Sequence, residues 1–373
     1  WVAYQVLLAT RDSHAVGVTH GDIKCENVLM TSWGWCFLSD YASYKPSEIP
    51  VDNPSAFTYF FDSGGRRRCC IAPERFSNEN RSRSLETMLD ETPTKVHPSA
   101  DIFALGCTVA ELFMDGNALF DLSEALQYRR GEYDPCEALE ADVKDDLARQ
   151  MIMSMVSIDP SARLSAREYL EQYYHSRLFP SYFERVHEFS AQFLHLDANG
   201  KIDAINAELD DLLATIVRVE SGMDAIERAS TTEDAVAMAM QSRVKCPGVH
   251  LVAAHVCSAI RGATLVSARV RALKLLRRLS VIATDECVLQ LMLPFCVSSL
   301  QDAAAIVRAE ALRAIADILT AVNEVPQSEF GLFREYIWPI LSNAASDSET
   351  LVRIALGEVL AELARLSVEF LQR

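Results

Sequence analysis

The sequence lacks the long apolar run and the leader that membrane-spanning or exported chains carry. No stretch approaches 18 uninterrupted apolar residues, which argues against a membrane-spanning helix. The first residues, Trp1–Gln5, contain no initiator methionine and do not open a basic, apolar and cleavage-site progression. No signal peptide is predicted, and we expect the sequence to begin inside a larger protein.

Positive charge is also scarce, since 35 lysine and arginine residues face 52 aspartate and glutamate residues. The net charge of −17 argues against a nucleic-acid partner, because general binders of phosphate backbones carry a basic surface. Paired cysteine spacings of metal sites are missing too. Cys69 and Cys70 are adjacent, which suits the chelation of one zinc ion poorly. The ten cysteines are therefore predicted to be reduced cytosolic thiols.

The 373 residues suffice for two or three domains. Residues 1–178 mix short apolar runs, loops and helices, and they contain most of the recognisable motifs. A polar, turn-forming stretch at His195–Gly200 interrupts this pattern. Apolar residues then recur at helical spacing: Ile202, Ile205, Leu209, Leu212 and Ile216. We predict a helical linker region over residues 179–247.

The last part of the chain repeats itself. Arg269, Arg308 and Arg353 are spaced by 39 and 45 residues, and each lies in a similar apolar helix pattern that a second apolar helix precedes. Short acidic turns separate the two helices of a pair. Units of this length and content are typical of HEAT repeats, which stack into an α-solenoid with an extended binding surface. About three repeats are predicted over residues 248–373, with unrelated helical hairpins as the alternative. The repeated arginine is expected to be structural.

The segment His20–Asn27 (HGDIKCEN) resembles the catalytic loop of protein kinases, in which an Asp is followed five residues later by an Asn. Four further matches follow in the order that kinases have. Asp40–Ala42 resembles the Asp-Phe-Gly triplet, and Ile71–Glu74 resembles the end of the activation segment. Asp101–Gly106 and Asp159–Arg163 resemble later motifs of the lower (carboxy-terminal) lobe. The predicted fold class is mainly α, a kinase lower lobe followed by an α-solenoid.

The resemblance implies roles for these residues in phosphoryl transfer, which depends on a placed hydroxyl and neutralised phosphate charge. Asp22 is expected to orient the attacking hydroxyl and accept its proton. Lys24 is expected to lie against the transferring phosphate. Asn27 and Asp40 would hold Mg²⁺ with ATP or another purine nucleotide. Structural roles are expected for His20, Glu74, Asp101 and Arg163, with Asp101 bonding the catalytic loop and Glu74 pairing with Arg163.

Departures from the kinase pattern limit the expected activity. Gly21 replaces the Arg that grips a phosphorylated activation segment in many kinases, so ordering by phosphorylation is not expected. Ala42 replaces a Gly and removes some backbone freedom. The Gly-rich loop, the phosphate-pairing Lys and its Glu partner belong to an upper lobe that precedes Trp1. Nucleotide binding therefore requires that lobe, and residues 1–373 alone are predicted to be inactive.

Few kinase lobes are followed directly by HEAT repeats. The chain is similar to the kinase-like regulatory subunit of the class III phosphatidylinositol 3-kinase complex, and the similarity extends to segments outside the catalytic motifs: Ile71–Phe76, Leu119–Ser123, Tyr128–Arg129, Phe179–Phe183 and Val307–Leu312. The resemblance implies a scaffold that holds the lipid-kinase catalytic subunit and its autophagic or endosomal regulatory subunits. It also implies a cytoplasmic protein, peripheral on endosomal, Golgi and autophagosomal membranes, with a lipid anchor outside this sequence.

Two other functions remain open. One is a catalytically competent Ser/Thr protein kinase, which the intact Asp22, Asn27 and Asp40 favour. The other is a degenerate kinase–HEAT trafficking scaffold of the kind associated with vesicle coats. That family usually loses the catalytic Asp or the metal ligands, whereas this chain retains them.

Overall fold

The computed structural model describes residues 1–42, 44–62, 65, 67–77, 96–221, 237–239, 241, 244–326 and 331–372. Its contacts divide the chain into two units. Unit 1 comprises residues 1–31 and 35–183, and unit 2 comprises residues 32–34 and 184–373. The separate helical linker region over residues 179–247 stays a prediction. No helix among these residues combines the length and hydrophobicity that crossing a bilayer requires.

Unit 1 is mainly helical, as predicted. Its helices are α1 Val2–Ala15, α2 Pro54–Phe60, α3 Pro98–Phe113, α4 Leu122–Arg129, α5 Cys136–Asp142, α6 Asp146–Met155 and α7 Ala166–Tyr173. The helix α8, Tyr182–Gln192, begins at its end. The strands are short: β1 Val28–Met30, β2 Cys36–Leu38, β3 Ile49–Pro50 and β4 Phe76–Ser77. β1 and β2 form an antiparallel hairpin, and β3 pairs with β4 in parallel.

Helix α3 is the centre of unit 1. Pro98 opens it, where a missing N–H is harmless, and nearly every residue from Ala100 to Glu111 is buried. A helix that is apolar all round belongs in a core, and α3 packs against α1 and α6. Gly106 makes the close approach to α6 possible. A Cβ there would lie 2.7 Å from the Met155 Cβ and 2.9 Å from the Val156 Cγ1.

Unit 2 is helical among its described residues. Its helices are α9 Ala198–Glu220, α10 Val249–Gly262, α11 Val266–Ser280, α12 Leu293–Ser298, α13 Ala305–Thr320, α14 Trp338–Ala345 and α15 Thr350–Gln372. The predicted apolar stripe of α9 is buried throughout and packs on α10. The predicted turn ends earlier than expected, because the Asp197 carboxylate accepts the Gly200 N–H over 2.8 Å and starts the helix at Ala198.

Successive helix pairs follow the predicted repeat. α11 packs on α13, and α13 packs on α15. The first helix of the last two pairs begins with a π-helical turn, Cys287–Met292 and Leu332–Ile337, before a proline at 294 and 339. A proline inside a helix removes one hydrogen bond and crowds the preceding turn, and a wider turn accommodates it.

Two of the three repeated arginines, Arg269 and Arg308, connect neighbouring pairs, a structural role as expected. Arg308 forms a bidentate ion pair with Asp347 of the next turn, with both N–O distances at 2.8 Å, and it donates to the Asp302 carbonyl. Arg269 pairs with Asp302 in the same way, at 2.8 Å. In α15, Leu356 and Leu363 are buried, whereas the Leu360 side chain between them is exposed.

Gly106→Ala should destabilise the protein although alanine is the better helix former. The added methyl group has no room between α3 and α6, and overpacking a core costs about 1–3 kcal/mol of unfolding free energy. The mid-helix control is Gly357→Ala in α15, where a Cβ meets no atom within 4 Å. That control should gain about 0.5–1 kcal/mol. Denaturant melts of both variants check the opposite signs, and an unchanged Gly106→Ala would contradict the close approach.

Candidate active site

The β1–β2 hairpin carries both predicted metal ligands. β1 follows Asn27 directly, and β2 ends two residues before Asp40. Just beyond the paired strands, the Ser39 N–H donates to the Asn27 carbonyl over 2.9 Å. The hairpin thus holds the end of the catalytic loop next to the start of the activation segment. Asn27 and Asp40 consequently lie at the same end of the hairpin.

A cavity of about 620 Å³ opens at this end of the hairpin. All four residues predicted for catalysis and nucleotide binding line it: Asp22, Lys24, Asn27 and Asp40. Asp22 and Asn27 are buried, whereas Asp40 is exposed. The residues predicted to be structural do not line the cavity: His20, Glu74, Asp101 and Arg163. The structure thus brings the predicted functional residues together in one cavity wall and places the predicted structural residues outside it.

The catalytic loop rests on one buried carboxylate. Asp101 accepts the backbone N–H groups of His20 and Gly21 over 2.7 and 2.8 Å, and His14 Nε2 lies 2.9 Å from it. His20 Nε2 donates to the Ser39 carbonyl over 2.8 Å. Burial is the main reason that the pKa of His20 is lowered, so this ring is a neutral structural donor.

Two lysines converge on the predicted base. Lys24 Nζ lies 2.9 Å and Lys45 Nζ 2.5 Å from Asp22 Oδ2. The Asn27 amide nitrogen donates to the Asp22 carbonyl over 2.8 Å, which holds the loop in a tight turn. Lys24 was expected near this site from the motif. Lys45 was missed, because its only sequence signal is a lysine five residues after Asp40.

Arg75 connects the catalytic loop to the activation segment. Its guanidinium donates to the carbonyls of Gly21, Pro46 and Ser47 over 2.9, 2.9 and 3.0 Å. Gly21 itself has a φ of +80°, a conformation that favours glycine. Burial lowers the pKa of Arg75, whose carbonyl partners and nearby carboxylates compensate for its desolvation. The segment is therefore anchored through backbone carbonyls without any phosphate.

A second arginine of the activation segment, Arg68, lines the cavity. Arg68 forms an ion pair with the buried Glu111, lies 3.3 Å from Glu26, and donates to the Gly116 carbonyl over 3.2 Å. Arg68 lies in the activation segment between Asp40 and Glu74. Arg68 is the last of three consecutive arginines in the sequence, which does not indicate the residues that it contacts.

Glu74 and Arg163 form the expected ion pair. Arg163 NH1 and NH2 lie 2.7 and 2.9 Å from the two carboxylate oxygens, which is the bidentate geometry of strong arginine pairs. The arginine side chain is fully buried, and it also donates to the carbonyls of Ser99 and Ser157. The carboxylate is 29% exposed, so only the arginine half of the pair is buried.

The donor set suits Mg²⁺ that arrives with a nucleotide. The Asn27 amide nitrogen is used by the catalytic loop, so its oxygen is the atom that can bind a cation beside the Asp40 carboxylate. Among the described residues, no three His, Cys, Asp or Glu side chains are grouped as a metal site. Mg²⁺ typically uses one or two protein ligands together with phosphate oxygens and water, which these two residues could complete.

Comparisons with known proteins agree with the fold and the cavity. Residues 1–175 match the protein kinase domain family, and residues 252–373 match the PIK3R4-like middle domain family. The two matches define a protein-kinase lobe followed by a helical domain. Along its whole length the chain is homologous to the serine/threonine-protein kinases named VPS15. This homology confirms the family resemblance that the sequence indicated.

Three relatives show the extent of this similarity. The VPS15 kinase of Arabidopsis thaliana is 34% identical over 100% of this chain and 29% of its own length. The Schizosaccharomyces pombe protein is 30% identical over 100% of this chain and 25% of its own length. The Saccharomyces cerevisiae protein is 27% identical over 98% and 28%. The chain therefore spans less than a third of the length of these relatives.

Glu74→Ala should lower the unfolding free energy of unit 1 by about 3 kcal/mol, because it leaves the buried Arg163 without its counter-charge. The value lies at the low end for buried pairs since the carboxylate is partly exposed. The control is the double variant Glu74→Ala/Arg163→Met, which carries no unpaired charge. It should be less destabilised than the sum of the two single variants, as a double-mutant cycle of melting curves can show. Additive losses would mean that the two residues are not coupled.

Proposed function

We propose that this chain is part of a regulatory scaffold that assembles and activates a phosphatidylinositol 3-kinase. The observation that carries this proposal is the homology to VPS15 kinases over the kinase lobe and the helical domain together. The PIK3R4-like match over residues 252–373 supports the same complex. The partners would be the lipid-kinase catalytic subunit and autophagic or endosomal regulatory subunits. The assembly would act on endosomal, Golgi and autophagosomal membranes, held by a lipid anchor outside this sequence.

Within this scaffold, the kinase fold would bind ATP or another purine nucleotide with Mg²⁺. Protein kinases use ATP and Mg²⁺, and the present chain supplies Asn27 and Asp40 at one end of a cavity. The upper lobe would supply the remaining phosphate-binding groups. A bound nucleotide stabilises the folded lobe by mass action, so it can serve a structural purpose even when transfer is weak or absent.

An active Ser/Thr protein kinase is the second candidate, because Asp22, Lys24 and Asn27 keep the residue types and spacing of a catalytic loop. Asp22 would accept the proton of the attacking hydroxyl, and Lys24 would lie beside the transferred phosphate. The matched relatives are named as protein kinases, which favours this candidate over a degenerate vesicle-coat scaffold.

Asp40→Asn and Asp22→Asn in the full-length protein should separate scaffold from catalyst. Losing the proposed metal ligand should reduce the nucleotide that co-purifies with the complex and lower its phosphatidylinositol 3-phosphate output. Losing the hydroxyl-orienting group should leave both nearly unchanged. Asp142→Asn, on an exposed position of α5, is the matched control.

The measurements are nucleotide content by chromatography and lipid-kinase output on vesicles. If Asp22→Asn alone abolishes lipid-kinase output while nucleotide stays bound and the complex stays intact, protein phosphorylation is required and the scaffold proposal is wrong. If both variants behave like the wild type, the cavity is vestigial and the function rests on the helical domain.

A further inference from the structure

Lys45, which belongs to the activation segment, forms an ion pair with Asp22, the predicted general base. Lys45 Nζ lies 2.5 Å from Asp22 Oδ2, closer than Lys24 at 2.9 Å. A general base needs its acceptor oxygen within about 2.6–3.2 Å of the hydroxyl it deprotonates. Because this oxygen already accepts from both lysines, a hydroxyl that donates to it would compete with Lys45, the nearer of the two. We propose that Lys45 is a built-in occupant of the phosphoacceptor position, which suppresses phosphoryl transfer to protein hydroxyls while nucleotide binds.

The position of Lys45 is fixed by its surroundings. The residue is 7% exposed, and its ammonium lies 5.2 Å from the centre of the Phe61 ring. A lysine is rarely this buried unless it is paired, and Asp22 is the carboxylate that pairs with it. Moving Lys45 aside therefore requires another partner for the ammonium or its transfer to water.

Arg75 binds the backbone next to both members of the Lys45–Asp22 ion pair. It donates to the Gly21 carbonyl, immediately before Asp22, and to the Pro46 carbonyl, immediately after Lys45. The Lys45 N–H also donates to the Ala42 carbonyl over 3.1 Å. One buried guanidinium thus fixes the distance between the two backbones that carry the pair. The occupied state needs no modification or partner to form.

A second cation of the activation segment, Arg68, also lines the cavity and is paired with carboxylates. Arg68 contacts both Glu26 and Glu111, and it comes from the same segment as Lys45. Of these two carboxylates, Glu26 lines the cavity and would otherwise be available to a basic group of an incoming peptide. Lys45 and Arg68 therefore pair with two carboxylates of the cavity wall, those of Asp22 and Glu26.

The nucleotide side is left open by this arrangement. The predicted metal ligands, Asn27 and Asp40, make no ion pair with Lys45 or Arg68 among the described contacts. The proposal rests on the nucleotide-binding function given above, because it explains how the site could hold a nucleotide without transferring its phosphate. It adds Lys45 to the residues of the site and gives a reason for slow phosphoryl transfer.

Lys45→Met in the full-length protein, within its lipid-kinase complex, tests this occupation. The assay measures the terminal phosphate of ATP incorporated into protein in the presence of Mg²⁺. General base catalysis contributes roughly 10²–10⁴-fold, so freeing Asp22 should raise incorporation on the order of tenfold or more. The gain should disappear in Lys45→Met/Asp22→Asn, since the hydroxyl proton then has no acceptor. Lys144→Met, at an exposed position, is the matched control and should show no gain.

Nucleotide content and lipid-kinase output distinguish the two proposals. In one outcome, Lys45→Met keeps its nucleotide and its lipid-kinase output but shows no gain in phosphate incorporated into protein. In that case the proposed role of Lys45 is wrong and the scaffold function stands. If the variant loses its nucleotide while the complex stays intact, Lys45 is a nucleotide-binding residue and the occupation is also wrong. Lys45→Arg, which can keep the ion pair, should remain as inactive as the wild type.

Amine acylation gives a test that does not depend on the folding of Lys45→Met. In the wild-type complex Lys45 should react with an amine-directed reagent at least several-fold more slowly than the exposed Lys144. Asp22→Asn should increase the labelling of Lys45 and leave that of Lys144 unchanged. Equal labelling of the two lysines in the wild type would show that the contact does not persist, and the proposal would fail.

Discussion

The candidate site depends on the carboxylate of Asp101. It is 1% exposed, and it accepts two consecutive backbone N–H groups of the catalytic loop. Hydrogen bonds to a charged group contribute roughly 1.5–3 kcal/mol each, and a buried carboxylate without them would be strongly unfavourable. The loop is therefore fixed from the core side. The positions of Asp22, Lys24 and Asn27 follow from that attachment, because all three lie within a few residues of it.

Arg75 fixes the same loop from the other side. Gly21 offers only its backbone, so this position cannot grip a phosphate on the activation segment as an arginine there would. Arg75 instead joins the Gly21 carbonyl to the carbonyls of Pro46 and Ser47. These hydrogen bonds hold the segment at Pro46 and Ser47 next to the catalytic loop. A site built in this way has little dependence on phosphorylation, which agrees with a scaffold better than with a regulated switch.

The sequence predicted the two kinds of fold and four of the residues that line the cavity, because the spacing of the kinase-type motifs is fixed. It could not predict Lys45, Arg68 or Arg75 as partners, since each contact joins segments that only the tertiary fold brings together. The π-helical turns before the prolines of unit 2 were missed for a related reason. A proline predicts a helix boundary, but whether a wider turn absorbs it depends on packing.

Both units use arginine in the same way, as a connector of backbone carbonyls. Arg75 and Arg163 do so around the kinase-type loops, and Arg308 donates to the Asp302 carbonyl of its own turn while it pairs with Asp347 of the next. Arginine has five N–H donors in a planar fork, so one side chain can satisfy a carboxylate and several carbonyls at once. Lysine has a single mobile ammonium and would leave some of these acceptors unpaired. Lys45 has a single carboxylate oxygen, Asp22 Oδ2, as its target, and a compact point charge suits that contact.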